Sequence, residues 1–290
     1  MNENFDKKCD SMCLKIGEKD CLSIFSGSKV RLLKRLVELV DKDDGLIWLA
    51  TVNPEFVIEA KKDQKFAKIL AETSINTADG IGIIWAERVK RRYKIYDLRF
   101  KKFLIGIGEG ISVLRGKYRD RIAAGSELMV DLSKEAIKRN WKVFFLGGFG
   151  DTAEKAGEKI NSSIINYELR YKTCEGRPRY NDAEVLLMIH KFRPEILFVA
   201  YGMKKQEEWI YEHKHELEKA GVRLVMGVGR SFDYYSGKLA MAPSWIKKMG
   251  LEWFFALIND PKRWKRDLKL IEFVWDVMRG TVTNRSVRRD

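Results

Sequence analysis

Residues 46–54 read Leu46-Ile47-Trp48-Leu49-Ala50-Thr51-Val52-Asn53-Pro54. This apolar run is too short for a helix and follows the turn Asp43-Asp44-Gly45, so it reads as a strand buried on both faces. Pro54 then opens a helix, because the first turn leaves its N–H groups without intrahelical partners and proline has none to leave. Upstream, residues 30–40 put Leu32, Leu33, Leu36, Val37 and Val40 on one side of an amphipathic helix. Downstream the alternation repeats. Residues 142–146 form a strand, followed by the turn Gly147-Gly148-Phe149-Gly150 and a helix from Asp151. Residues 195–200 form a strand ending at Tyr201-Gly202, then come a helix over 204–219 and a strand over 222–228. Alternating strands and helices predict an α/β fold, a Rossmann-like parallel sheet with helices on both faces. Ligands of such sheets sit beyond the carboxyl ends of the strands. That rule singles out the exits at Thr51-Val52-Asn53, at Gly147-Gly148-Phe149-Gly150 and from Gly202 onward.

The composition is that of a globular chain: 290 residues, 45% apolar and 33% charged. No apolar run reaches the ~18–20 residues that span a bilayer. Residues 1–20 do not read as a secretory signal, so a cytoplasmic protein is expected. The net charge is +14 and its distribution is uneven. Residues 87–121 carry twelve Lys/Arg against four Asp/Glu, and residues 238–290 carry twelve against six. These two segments account for the whole excess, which fits either docking on something anionic, nucleic acid or acidic lipid, or two solvated faces. Cys9, Cys13, Cys21 and Cys174 match no common zinc pattern and are expected as free thiols. His190, His213 and His215 have no obvious partners, and no metal site is expected.

Two further features carry candidate chemistry. The glycines of 147–150 would let backbone amides approach a phosphate, although the turn lacks both the dinucleotide and the Walker patterns. Asp79-Gly80-Ile81-Gly82 precedes an apolar helix over 83–89. Asp79 serves there either as its N-cap or as a carboxylate at a pocket mouth, able to deprotonate a hydroxyl. Near the C-terminus Trp264, Leu268, Ile271, Trp275 and Met278 recur at helical spacing between Lys and Arg residues. Such a stripe either packs on the core or lies in a membrane interface.

The order of these motifs resembles the WecG/TagA/CpsF glycosyltransferases (glycosyltransferase family 26). Thr51-Val52-Asn53-Pro54-Glu55, Asp79-Gly80-Ile81-Gly82 and Phe144-Phe145-Leu146-Gly147-Gly148 are similar to that family's successive signatures. So are Gly202 to Trp209, Gly229 to Gly237, Ala242-Pro243 and Leu251-Glu252-Trp253, all in order over about residues 29–270. The resemblance implies a core over 29–245 with a basic, apolar insertion at about 93–120. It also implies a tail over 1–28 and a membrane-docking helical appendage over 246–290. It further implies an inverting, metal-independent transfer of N-acetylmannosamine, a related N-acetylated sugar or its uronic acid. The donor would be a UDP-sugar and the acceptor lipid-diphosphate-linked N-acetylglucosamine, with no cofactor, at the inner face of the cell membrane. Asp79 would be the general base. Thr51, Asn53, Gly80, Arg121, Gly147, Gly148, Gly202, Lys205, Gln206, Glu207, Asp233, Arg263 and Arg266 would contact substrate. Four positions depart from the family pattern: Met241 and Ala256 stand where Arg is usual, Lys204 where Pro is, and Glu127 where Asp is. Rival expectations are a nucleotide-sugar-binding protein without catalysis and a basic nucleic-acid-binding protein. The Trp stripe and the lack of RNA- or DNA-binding motifs argue against a nucleic-acid partner, and a homo-oligomer stays open.

Overall fold

The computed structural model describes residues 11–16, 21–93, 99–164, 168–243, 245–246, 252–260 and 264–280. Eight strands form one sheet in the order β1-β2-β4-β3-β8-β7-β5-β6. They are β1 (Ser11–Lys15), β2 (Cys21–Phe25), β3 (Ile47–Val52), β4 (Ile75–Ala78), β5 (Lys142–Gly147), β6 (Arg170–Cys174), β7 (Ile196–Ala200) and β8 (Leu224–Gly227). All neighbouring strands run parallel except β1 against β2. The helices are α1 (Lys29–Lys42), α2 (Pro54–Lys62), α3 (Gln64–Ala71), α4 (Ile81–Tyr93), α5 (Arg99–Leu114) and α6 (Gly125–Arg139). They continue with α7 (Thr152–Ser162), α8 (Asp182–Phe192), α9 (Lys205–Lys219), α10 (Ser231–Tyr235), α11 (Glu252–Asn259) and α12 (Trp264–Arg279).

The side chains of β3 divide by parity, as a strand covered on both faces requires. Ile47 and Leu49 join the cluster of Leu32, Leu36, Leu128 and Leu132 from α1 and α6. Ala50 and Val52 join Phe56, Phe66 and Ile83 from α2, α3 and α4. Trp48 packs with Trp209 and Ile210 of α9 on that second face. The expected doubly covered α/β sheet is therefore the fold.

The N-terminal tail differs from expectation. Residues 11–15 and 21–25 form a hairpin on the sheet edge, with Leu14, Leu22 and Ile24 buried. Only a few apolar residues alternate there, too few to stand out from polar flanks. Cys13 is disulfide-bonded, against the expectation of free thiols, whereas Cys174 is free. His213 also has partners, Asp182 at 3.4 Å and the ring of Trp209.

The segment 93–120 contains α5, which packs against α4. Trp85 Nε1 donates to the Gly106 carbonyl at 2.9 Å, and a Cβ on Gly110 would meet that indole at 3.5 Å. Glu109 is buried and paired with Arg88 and Arg92. Phe103, Leu104, Ile107, Ile111 and Leu114 remain exposed.

Of the C-terminal stripe, Leu268, Ile271 and Trp275 are not core, Met278 is half-buried, and the side chain of Trp264 lies outside the described residues. Ile271 is 66% exposed and Trp275 57%, whereas Phe273 and Val277 on the other side of α12 are fully buried. Those two pack into the cluster of α2 and α4. Lys62–Glu272 at 2.6 Å, Lys61–Asp276 and Lys269–Glu59 at 2.9 Å fasten α12 to α2. The residues that anchor this helix are thus the complement of those its periodicity emphasised. Among the described residues no helix is long and apolar enough to cross a membrane.

Candidate active site

Parallel pairing sets the site. The register Thr51↔Thr77 and Val52↔Ala78 carries β3 and β4 out of the sheet together. The Asp79 N–H then donates to the Val52 carbonyl at 2.8 Å, which brings Asp79 beside Asn53. The Asn53 side-chain oxygen caps α2, accepting from the N–H groups of Glu55 at 2.9 Å and Phe56 at 3.2 Å. After α5 the chain returns to the same place, where the Ala123 N–H donates to the Ala78 carbonyl at 2.9 Å. This brings Gly125 so near Thr51 that a Cβ there would stand 3.1 Å from its hydroxyl.

These exits, with those of β7 and β8, surround a cleft of about 810 Å³. Thr51, Asn53, Asp79, Gly80, Gly202 and Gln206 all line it. Its outer wall comes from α5, α11 and α12, through Gly110, Val113, Phe255, Leu270 and Val274. Three of the departures, Glu127, Met241 and Ala256, also line it.

Gln206 is fixed by its neighbours. Its Nε2 donates to Glu207 Oε1 at 2.8 Å, and its Oε1 accepts from the Gly229 N–H at 3.0 Å. A side chain on Gly227 would collide with both Gln206 and Glu207, so β8 must end in glycine for this arrangement to close. Glu207 does not line the cleft; its Oε2 accepts from the Lys204 N–H at 2.7 Å and caps α9. Burial pushes its carboxyl up to about 7. Lys204 has a φ of 73° and reaches Asp63 at 2.8 Å. Proline can supply neither that φ nor that N–H, so the departure at this position reshapes the entry to α9.

Other expected contacts lie elsewhere. Arg121 pairs with buried Glu87, which also takes Arg91, so the described partner of its charge is internal. Gly147 and Gly148 do not line the cleft. They are close-approach glycines: a Cβ on Gly147 would stand 2.9 Å from the Ala200 backbone, and one on Gly148 would stand 2.9 Å from Thr152. Lys205 opens α9 outside the cleft, and Asp233 stands behind Arg230 at 3.6 Å. Arg263 lies outside the described residues, and Arg266 is on α12 with its side chain outside them.

Arg230 is a lining residue that sequence reasoning missed. Its Nη1 donates to Asp260 Oδ2 at 2.8 Å. Burial works against its charge, but the Asp260 pair outweighs it and raises the guanidinium above its ordinary value. The signal was present within Gly229 to Gly237, but nothing in the spacing marked that arginine. Among the described residues no cluster of three or more His, Cys, Asp or Glu is placed to hold a metal.

Comparison with known proteins gives a consistent result. The family model described as "Glycosyl transferase WecG/TagA/CpsF family" matches residues 22–101 and 105–287. The match leaves out only 102–104 of the segment set apart as an insertion. The chain is 29% identical over 241 residues to the N-acetylglucosaminyldiphosphoundecaprenol N-acetyl-beta-D-mannosaminyltransferase of Bacillus subtilis (strain 168), covering 83% of this chain and 82% of that protein. It is 28% identical over 234 residues to the like-named protein of Staphylococcus aureus (strain MRSA252), covering 81% and 80%.

Proposed function

This chain belongs to the glycosyl transferase WecG/TagA/CpsF family, and from that premise we propose that it moves N-acetylmannosamine, or a related N-acetylated sugar or its uronic acid, from UDP to lipid-diphosphate-linked N-acetylglucosamine. The observation that carries the reading is Asp79 at the paired exit of β3 and β4, lining one cleft with Thr51, Asn53 and Gln206. The relatives' names specify, for those proteins, transfer of N-acetyl-beta-D-mannosamine with N-acetylglucosaminyldiphosphoundecaprenol as acceptor.

Asp79 accepts the proton of the acceptor hydroxyl as its oxygen attacks the anomeric carbon. The bond from that carbon to the UDP oxygen breaks on the opposite side, and UDP leaves with the electron pair. The configuration inverts in a single displacement. Thr51, Asn53 and Gln206 orient the sugars, which confines the reaction to a near-attack geometry. Cationic side chains balance the charge on the departing diphosphate without a metal. The apolar wall from α5, α11 and α12 excludes water, which would otherwise compete as acceptor.

The enzyme works at the inner face of the membrane, where its lipid acceptor resides. The exposed faces of α5 and α12 support this reading: apolar residues such as Ile107 and Ile271 lie outward, within segments rich in Lys and Arg. A membrane surface explains both features, whereas nucleic acid explains only the charge.

Incubation with UDP-N-acetylmannosamine and a lipid-diphosphate N-acetylglucosamine analogue tests the proposal. The expected result is one disaccharide-lipid formed per UDP released, identified by mass. UDP release without the disaccharide would contradict it.

A further inference from the structure

We propose that Arg230 is a diphosphate-binding residue, and that Asp260 occupies its guanidinium until the diphosphate enters the cleft. This rests on the reading of the cleft as a glycosyltransferase site. Both substrates of that reaction carry a diphosphate, so the cleft must accept a group with at least two negative charges. The described lining residues oppose this. Glu55, Asp79, Glu127 and Asp260 are acidic, and Arg230 is the only Lys or Arg among them. Lys29 and Lys269 approach Glu127 at 3.0 Å and Glu55 at 3.5 Å, which reduces the repulsion but offers the ligand no donor from the cleft wall.

Arg230 is built to fill that role. Its contacts with Asp260 and Asp233 use Nη1 and Nε, while a guanidinium presents five donors in a fork that fits phosphate oxygens. Its backbone is positioned by the chain of contacts running from Glu207 through Gln206 to the Gly229 N–H. Where a Cβ on Gly229 would stand there is open space, so a ligand can approach the arginine along the loop. Asp260 directly follows α11, so the ion pair also ties the cleft's outer wall to the exit of β8. A diphosphate that captures Arg230 displaces the carboxylate and frees that tie.

The test is titration calorimetry on the full chain with UDP, UMP and a short-alkyl N-acetylglucosamine diphosphate, comparing wild type with Arg230→Gln, Arg230→Lys and Asp260→Asn. Arg230→Gln is expected to weaken binding of a diphosphate ligand by on the order of tenfold to a hundredfold. UMP binding should stay within about threefold. Arg230→Lys should recover part of the loss, and Asp260→Asn should bind the diphosphate more tightly than wild type. A loss confined to UDP assigns Arg230 to the donor, and one confined to the alkyl compound assigns it to the acceptor. Unchanged affinity for both diphosphates in Arg230→Gln, or an equal loss for UMP, would overturn the proposal. Wild-type turnover is measured alongside. An inactive wild type that still binds UDP through Arg230 would sink the transfer reading and leave this one standing.

Discussion

Glu207 is enclosed in the first turn of α9, with one carboxylate oxygen on the Gln206 amide and the other on the Lys204 N–H. Burial raises its carboxyl from 4.5 to about 7. Between those values the folded chain holds a proton that the unfolded chain has released. Its contribution to stability is therefore complete below pH 4.5 and is lost as pH rises through 7. Denaturant unfolding should show a loss of roughly 1–3 kcal/mol between pH 5 and pH 8, and Glu207→Gln should flatten that slope. An undiminished slope in the variant would place the titrating group elsewhere. At this scale legibility followed chain locality. Thr51, Asn53, Asp79 and Gln206 stand at strand exits or in short motifs, and all reach the cleft. The pairing of Arg121 was not legible, because its partner Glu87 is 34 residues away and no sequence spacing reports it. Arg230 was hidden for the same reason, since its local motif was plain while its cleft partner Asp260 is distant in sequence.

α12 shows how an element can be recognised while its orientation stays open. Periodicity gave a helix with an apolar stripe, but it could not choose between two apolar faces. The structure buries Phe273 and Val277 and exposes Leu268, Ile271 and Trp275. Paired substitutions separate the roles. Ile271→Glu should leave the melting temperature near wild type and reduce flotation with vesicles of phosphatidylcholine and phosphatidylglycerol by about tenfold. Phe273→Ala should cost about 3–5 kcal/mol of stability by opening a cavity against α2 and α4. Equal vesicle binding by Ile271→Glu and wild type would remove the exposed face from the membrane account. The strands divide similarly. β3, β5, β7 and β8 are continuous apolar runs and were legible. β4 is only four residues long, and β6 is an edge strand with the polar sequence Arg-Tyr-Lys-Thr-Cys. Edges are kept polar to discourage pairing with other chains, which removes the signal that identifies a strand.

In the whole molecule, the chain winds from β3 to β4 on one side, crosses to β5 and β6, and returns through β7 to β8 beside β3. Strand order therefore reverses between β3 and β8, and a crevice opens beyond their carboxyl ends, as at the switch points of other open α/β sheets. The reading from strand exits found this location without the lateral order of strands, because every candidate exit lies on the same edge. It could not exclude the exit of β5, which sits farther along that edge and outside the cleft. Nor could it foresee that α5, α11 and α12 would wall the opening. The account's central claim is that this crevice performs a glycosyl transfer with Asp79 as base. Its most direct test is turnover of Asp79→Asn with UDP-N-acetylmannosamine and the lipid-diphosphate acceptor, with UDP affinity measured on the same protein. The predicted result is a loss of turnover of about a hundredfold to ten-thousandfold with UDP affinity within about threefold of wild type. Turnover kept near the wild-type rate, with UDP still bound, would contradict the account.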